Sequence, residues 1–228
     1  MKKLLISVLM VLGTFSMASA ELGIKVGVSA ELGELQGSAS ETNTSTAAVS
    51  GPRTEEALFG KASFFIEKDL AFLPGPLGRL SIGYDNMGHD LDMGSATNVQ
   101  RDVLTAAGAT DATEVNTVSA HVTGFKTVYG MLNITDWLFV KAGTVTIDVK
   151  NKSDMDTTAR YADASLDGNV IGAGIHISHD NGWFSRVEVQ EYSINGVTLT
   201  STGTNSTRKV TLKDIDGTTG RVSFGRSF

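Results

Sequence analysis

The chain has 228 residues, no cysteine and a formal charge of −6. The lack of cysteine excludes a disulfide framework and a lipid-modified cysteine, and the acidic balance argues against a nucleic-acid partner. Beyond residue 20 no stretch reaches the roughly 18 consecutive apolar residues that a spanning helix needs, so helical membrane insertion is excluded.

Residues 1–20 have the layout of an export signal: Lys2 and Lys3, an apolar run from Leu4 to Phe15, and Ala18-Ser19-Ala20 for cleavage. The mature chain is expected to start at Glu21. Removing two lysines and no acid leaves 17 basic residues against 25 acids, a charge of −8. Residues 21–228 are expected to form one domain, with no linker or appended domain after the last strand.

Leu22 to Leu32 alternates with a period of two, Leu22, Ile24, Val26, Val28, Ala30 and Leu32 opposing Lys25, Gly27, Ser29 and Glu31. After a Ser/Thr/Asn-rich stretch, 34–56, a second strand runs from Leu58 to Glu67 and a third from Arg79 to Asp85. The stretch 88–114 is expected as a second long loop, with a short helix over Val99 to Ala107. Strand four starts near Thr117. Its parity becomes unclear after Gly124, as a bulge would cause. Strand five covers Trp137 to Val149, but Lys141 shares parity with Trp137, Phe139 and Val145, which leaves its face open. Beyond a third loop, 150–168, Asn169 to Ser178 and Phe184 to Tyr192 form a hairpin around His179-Asp180-Asn181-Gly182. The fourth loop is 193–219, in which Val197 to Thr200 and Lys209 to Leu212 extend the flanking strands outward. Gly220 to Phe228 closes the chain, with Val222, Phe224 and Phe228 on one face. All three prolines, Pro52, Pro74 and Pro76, are expected to fall outside the strands, as a closed ladder requires.

Eight strands joined alternately by long and short connections predict an all-β, up-and-down antiparallel transmembrane barrel in the outer membrane, with both termini on the periplasmic side. Trp137, Trp183 and Phe228 are expected to form one aromatic girdle, and Tyr84 and Tyr192 the other. A soluble barrel has the same alternation turned inside out. The signal, the loop asymmetry, the girdles and the terminal Phe228 favour apolar-out.

Two stretches, NVIGAGIHISHDNGWFSRVEVQEY (169–192) and the closing VSFGRSF, make the sequence resemble the small OmpA-type and opacity-type outer-membrane barrels. The resemblance implies an eight-stranded barrel in outer-membrane lipid, delivered by the barrel-assembly machinery through its C-terminal strand. Arg226 departs from the apolar or aromatic residue expected two positions before the terminal Phe.

On the inward parity lie Lys25, Lys61, Arg79, Arg186 and Arg221 with Glu31, Glu67, Asp85 and Glu188, and Glu31 is the expected mate of Arg221 across the closing seam. In a barrel this narrow the charges are expected to pair into a plug, a structural role, the alternative being a porin-like water path through shifting partners. The long loops leave a surface adhesin or receptor open, with no ligand identified. His176-Ile177-Ser178 is similar to the His-x-Ser pair of outer-membrane lipid A deacylases, which would make Ser178 nucleophile, His176 base and Glu188 orienting acid. Three features oppose an enzyme: His179 replaces the family's Asn, the pair adjoins a periplasmic turn, and both side chains point inward. Asp90 and Asp92, Asp154 and Asp156, and Asp214 and Asp216 form three loop triplets that could hold calcium if the loops converge. No phosphate-binding glycine loop and no Cys/His metal spacing occurs, so no cofactor is expected. Outward parity at Arg226 makes a direct prediction: Arg226→Phe leaves assembly intact or improves it, read as the heat-modifiable fraction of the barrel, and poorer assembly contradicts that parity.

Overall fold

The computed structural model describes residues 22–43, 48–102, 112–151, 154–155, 160–202 and 208–228. The expected signal, residues 1–20, lies outside them. Twelve strands appear in chain order: β1 (Ile24–Asn43), β2 (Ala48–Asp69), β3 (Leu80–Met87), β4 (Leu91–Asp102), β5 (Ala112–Asn133), β6 (Leu138–Asn151), β7 (Asp154–Met155), β8 (Ala164–Ser178), β9 (Trp183–Ile194), β10 (Val197–Thr200), β11 (Arg208–Leu212) and β12 (Ile215–Ser227). Eight of them, β1, β2, β3, β5, β6, β8, β9 and β12, form a continuous antiparallel ring, because β1 pairs with both β2 and β12. The seam runs from Lys25↔Ser227 to Gln36↔Asp216. It is tied off where the Phe228 amide donates to the Ile24 carbonyl at 2.8 Å and the Ile24 amide to the Phe228 carbonyl at 3.3 Å. No described helix is long and apolar enough to cross a membrane.

The three tight connections, 70–79, 134–137 and 179–182, lie at the same end as the termini. At the last of them Asn181 and Gly182 take φ of 64° and 79°, the left-handed region that Asn-Gly tolerates. At the opposite end the strands run far past the expected lengths. Much of 34–56, 88–114, 150–168 and 193–219 is paired strand: β1 and β2 pair up to Asn43↔Ala48, with Pro52 inside β2 and not outside the strands as expected, tolerated at the register shift between Ala39↔Arg53 and Glu41↔Ser50, and β10 and β11 add a hairpin alongside β1. These stretches lack a regular hydrophobic alternation in sequence, and the backbone ladder forms without it. The expected helix fails for the same reason. Val99 to Asp102 is the end of β4, with Val99 opposite Val115, and residues 103–107 lie outside the described residues. In β5 the register shifts between Val122 and Gly124, so Val122 and Phe125 both point inward, and the extra residue accounts for the lost parity.

Polarity reverses along the barrel axis. Toward the turn end the outer face is apolar and exposed, with Leu32 at 73%, Leu58 at 87% and Val189 at 58%. From Ile24 to Leu32 the rise of about 3.3 Å per residue and a tilt of roughly 40° give a band about 20 Å tall, close to the about 25 Å of membrane barrels. Above it the outer face turns polar with Glu34, Gln36, Glu56, Asp167, Glu191 and Asp216, while the interior turns apolar: Met87, Val122, Phe125, Val145, Ile147, Leu166, Val170 and Ile194 pack into one buried cluster. The lower half is inside-out and the upper half is packed like a soluble domain.

Within the lower half, glycines on one strand make room for large side chains on the next. A Cβ at Gly83 would sit 2.4 Å from the ring of Tyr129, its partner on β5. Gly83→Val therefore displaces Tyr129 and is expected to lower stability by about 1–3 kcal/mol in urea unfolding of the folded protein in detergent.

Candidate functional site: the charged lumen

The inside-out half of the barrel is filled in layers, each strand contributing every second residue. At the turn-end mouth Lys25 pairs with Asp69 at 2.7 Å, and the Ser81 hydroxyl donates to the same carboxylate at 2.6 Å. In the next layer the Arg186 guanidinium grips Glu67 with two bonds, 2.5 and 2.7 Å, and the Tyr129 hydroxyl donates to Glu67 at 2.7 Å. That guanidinium is also surrounded by rings, 4.6 Å from the centroid of Phe184, 5.6 Å from Phe139 and 5.9 Å from Phe65. In the middle Arg221 bridges Asp85 at 2.5 Å and Glu188 at 3.2 Å, and Glu188 also takes Lys141 at 2.8 Å. The Ser63 hydroxyl donates to Asp85 at 2.9 Å. Highest are Lys61 and Glu31, 3.2 Å apart, with the Lys61 ammonium 3.8 Å above the Phe125 ring. The apolar cluster begins there and covers the network.

Four cations, Lys61, Lys141, Arg186 and Arg221, thus meet four anions, Glu31, Glu67, Asp85 and Glu188, and every one is buried. Such a set adds no net charge to the interior. Each member is held by charge-assisted bonds that offset its desolvation. Two buried side-chain oxygens of this region, Asp85 Oδ1 and Thr127 Oγ1, have no hydrogen-bond partner among the described residues. Asp85 and Thr127 are direct neighbours across β3 and β5, and a polar pocket of this kind suits ordered water.

Three placements depart from the sequence reading. Arg79 is exposed at the end of the 3-10 turn Gly75–Arg79, one residue before β3 starts, and its guanidinium donates to the Ile134 carbonyl at 2.7 Å. Glu31 faces Arg221 across the seam, but its ion pair runs to Lys61, its partner on β2, while Arg221 pairs with Glu188, its partner on β9, and reaches across to Asp85. Tyr192 belongs to the lumen. It is 2% exposed, its ring packs edge-on against Phe125 at 5.6 Å, and its hydroxyl lies 3.4 Å from the Lys61 ammonium. Its own strand carries the signal, since Arg186, Glu188, Gln190 and Tyr192 share one parity. Lys141 was also legible only in part. Phe139, Lys141, Val145 and Ile147 all point inward, and a lumen that accepts large apolar groups hides a lysine among them.

On the outer face, Trp137 and Tyr84 are exposed, and Trp183 stacks on Phe224 with centroids 4.9 Å apart. Arg226 lays its guanidinium 5.7 Å from the Trp183 ring and 5.3 Å from the Phe228 ring. The acidic triplets do not converge. Asp92 on β4 and Asp154 on β7 flank β5, Asp214 and Asp216 lie by β12 on the opposite side of the ring, and Asp156 is outside the described residues. Among the described residues no three potential ligands gather for a metal ion.

His176 and Ser178 do meet, Nε2 to Oγ at 3.1 Å, but in the wrong sense for a nucleophile and its base. Arg186 Nε donates to His176 Nδ1 at 3.0 Å. A guanidinium only donates, so Nδ1 is the acceptor and the proton of the neutral ring sits on Nε2, facing the serine. Glu188, the expected orienting acid, is taken by Lys141 and Arg221.

No protein-family model matches the chain, and no curated protein matches it. Among solved structures, the outer-membrane protease OmpT of Escherichia coli is 10% identical with a TM-score of 0.35, the match covering 94% of this chain and all of that one. The attachment invasion locus protein Ail of Yersinia pestis, in complex with the heparin analogue sucrose octasulfate, is 9% identical with a TM-score of 0.30, over 87% of this chain and 98% of that one. A Pseudomonas aeruginosa FadL homologue is 7% identical at 0.30, over 90% of each chain. These superpositions are loose, and the fold assignment rests on the closed strand ladder itself. Arg186→Met, which leaves Glu67 buried without its cation, is expected to cost about 3–5 kcal/mol in urea unfolding in detergent, far more than Arg79→Met at the rim.

Proposed function

We propose that the chain is an exported outer-membrane barrel, assembled through its C-terminal strand, that serves as a sealed, non-conducting structural element and carries a folded β-tier outside the membrane. The observation that carries this reading is the reversal of polarity along one continuous barrel. An apolar outer band over a charged interior suits lipid, and a polar outer face over an apolar core suits water. The sealing follows from the contents of the lumen. A water path would have to part four mutually neutralising ion pairs and then cross the Phe125, Val145, Val170 and Ile194 cluster, which offers water no partners.

A second reading is favoured by the external tier. Because β1, β2, β10 and β11 pair well above the band, the surface offered to the exterior is braced by a sheet, a suitable base for recognition of another surface by an adhesin or receptor. A lipid A-modifying activity at Ser178 lacks its base, for the tautomer reason given above. Purified barrel that migrates in a heat-modifiable manner is expected to insert into planar bilayers without conductance steps. Reproducible single-channel steps would overturn the sealed reading, and failure to insert would overturn the membrane reading.

A further inference from the structure

A groove of about 700 Å³ climbs the outer face of the barrel across β5, β6 and β8. It exists because the outward positions there are small. Gly130 and Ala142 face each other across one ladder, and Ala173 faces Val140 across the next, so the sheet surface dips between Leu132, Val140 and Ile171. The lower end lies at Leu80, at the turn end of the apolar band. The upper end reaches Glu191, where the outer face changes from apolar to polar.

A second depression of about 360 Å³ continues upward from that point, the two sharing Ile171 and Glu191. It adds Asp216, Ser193 and Thr218. Glu191 and Asp216 are exposed on adjacent strands, one diagonal step apart in the register, which puts their Cβ atoms roughly 7 Å from each other. Neither carboxylate makes an ion pair with the described residues. Farther round the same rim Asp148 is neutralised by Lys126 at 2.9 Å. The groove thus joins a long apolar floor within the band to two uncompensated negative charges at its outer edge.

We propose that this groove is a binding site for a cationic amphipath with an alkyl chain, seated from the outer leaflet. The chain lies over Gly130, Ala142 and Ala173, and the ammonium group rests between Glu191 and Asp216. An anionic headgroup at the same place meets two like charges, and a neutral one gains only the groove. A side chain at Gly130 would occupy the tail position without disturbing the wall, since a Cβ there meets nothing within 4 Å. The membrane reading supplies the direction of entry, while the chemistry of the site depends only on the folded barrel.

The experiment is native mass spectrometry of the full mature barrel released from a neutral detergent, with dodecyltrimethylammonium and dodecyl sulfate as probes. Retention of the cationic probe is expected to exceed that of the anionic probe by about tenfold, the size expected of two close carboxylates in a largely aqueous rim. Glu191→Gln combined with Asp216→Asn is expected to remove the preference, and Gly130→Leu to remove retention of both probes, each variant keeping the heat-modifiable mobility of the folded barrel. Equal retention of the two probes overturns the proposal, as does a preference that survives in the double variant. Retention unaffected by Gly130→Leu shows that the tail lies elsewhere and overturns it too. A stable pair of barrels that shields the groove would reassign it to a second copy of the chain. The mobility control separates these results from a failure of the membrane reading, in which the wild type itself does not fold in detergent.

Discussion

Closure of the strand ladder is the constraint from which the rest of this structure follows. In hydrocarbon an open strand edge has no water to turn to, so a sheet is admissible there only if its first and last strands meet. Here they meet along twelve residue pairs and finish with reciprocal bonds between Ile24 and Phe228. Closure of eight strands then fixes a lumen about as wide as the side chains that fill it. Once that width is set, the inward residues can reach only one another, and each layer must satisfy its own charges.

The lumen meets that requirement by sharing. Glu188 serves two cations, Arg221 serves two carboxylates, and Glu67 takes both an arginine fork and a tyrosine hydroxyl. Large rings fill what the charges leave, and glycines such as Gly83 give those rings their space. Above the band the outer face is polar and the interior turns apolar. Both halves obey the same rule, that a face is apolar when nothing polar is available to it.

How much of this was legible in the residues depends on contrast. Where one face is apolar and the other charged, as in Leu22 to Leu32, the period of two is plain and the strand and its inward residues can be read directly. Where both outer face and loop are polar, as from Gly33 to Asn43, strand and loop look alike, and only the pairing partner distinguishes them. Tyr192 and Lys141 illustrate a second limit. One is an aromatic residue near a strand end and the other a lysine among apolar neighbours, and each was harder to place because the lumen accepts rings and charges together. Partner choice within the lumen was legible only where partners sit opposite each other on adjacent strands, as Glu31 and Lys61 do. Arg221 takes Glu188, its register partner on β9, and reaches Asp85 on β3 across the interior, a distance the register of adjacent strands does not encode.

The hydrogen bonds and ion pairs of the lumen also join parts of the chain that are far apart in sequence. Arg186 and Glu67 are 119 positions apart, Arg221 and Asp85 136, and Gln190 and Glu31 159. A sheet that has gathered only its first strands therefore holds Glu67 and Asp85 without the arginines that arrive last, and these groups must remain wet until β9 and β12 are in place. Drying of the interior and joining of the first strand to the last become a single late event, with much sequence to be enclosed before any of it is rewarded. Incomplete sheets are thereby kept hydrated on their inner side, which marks them physically as unfinished until the ring is whole.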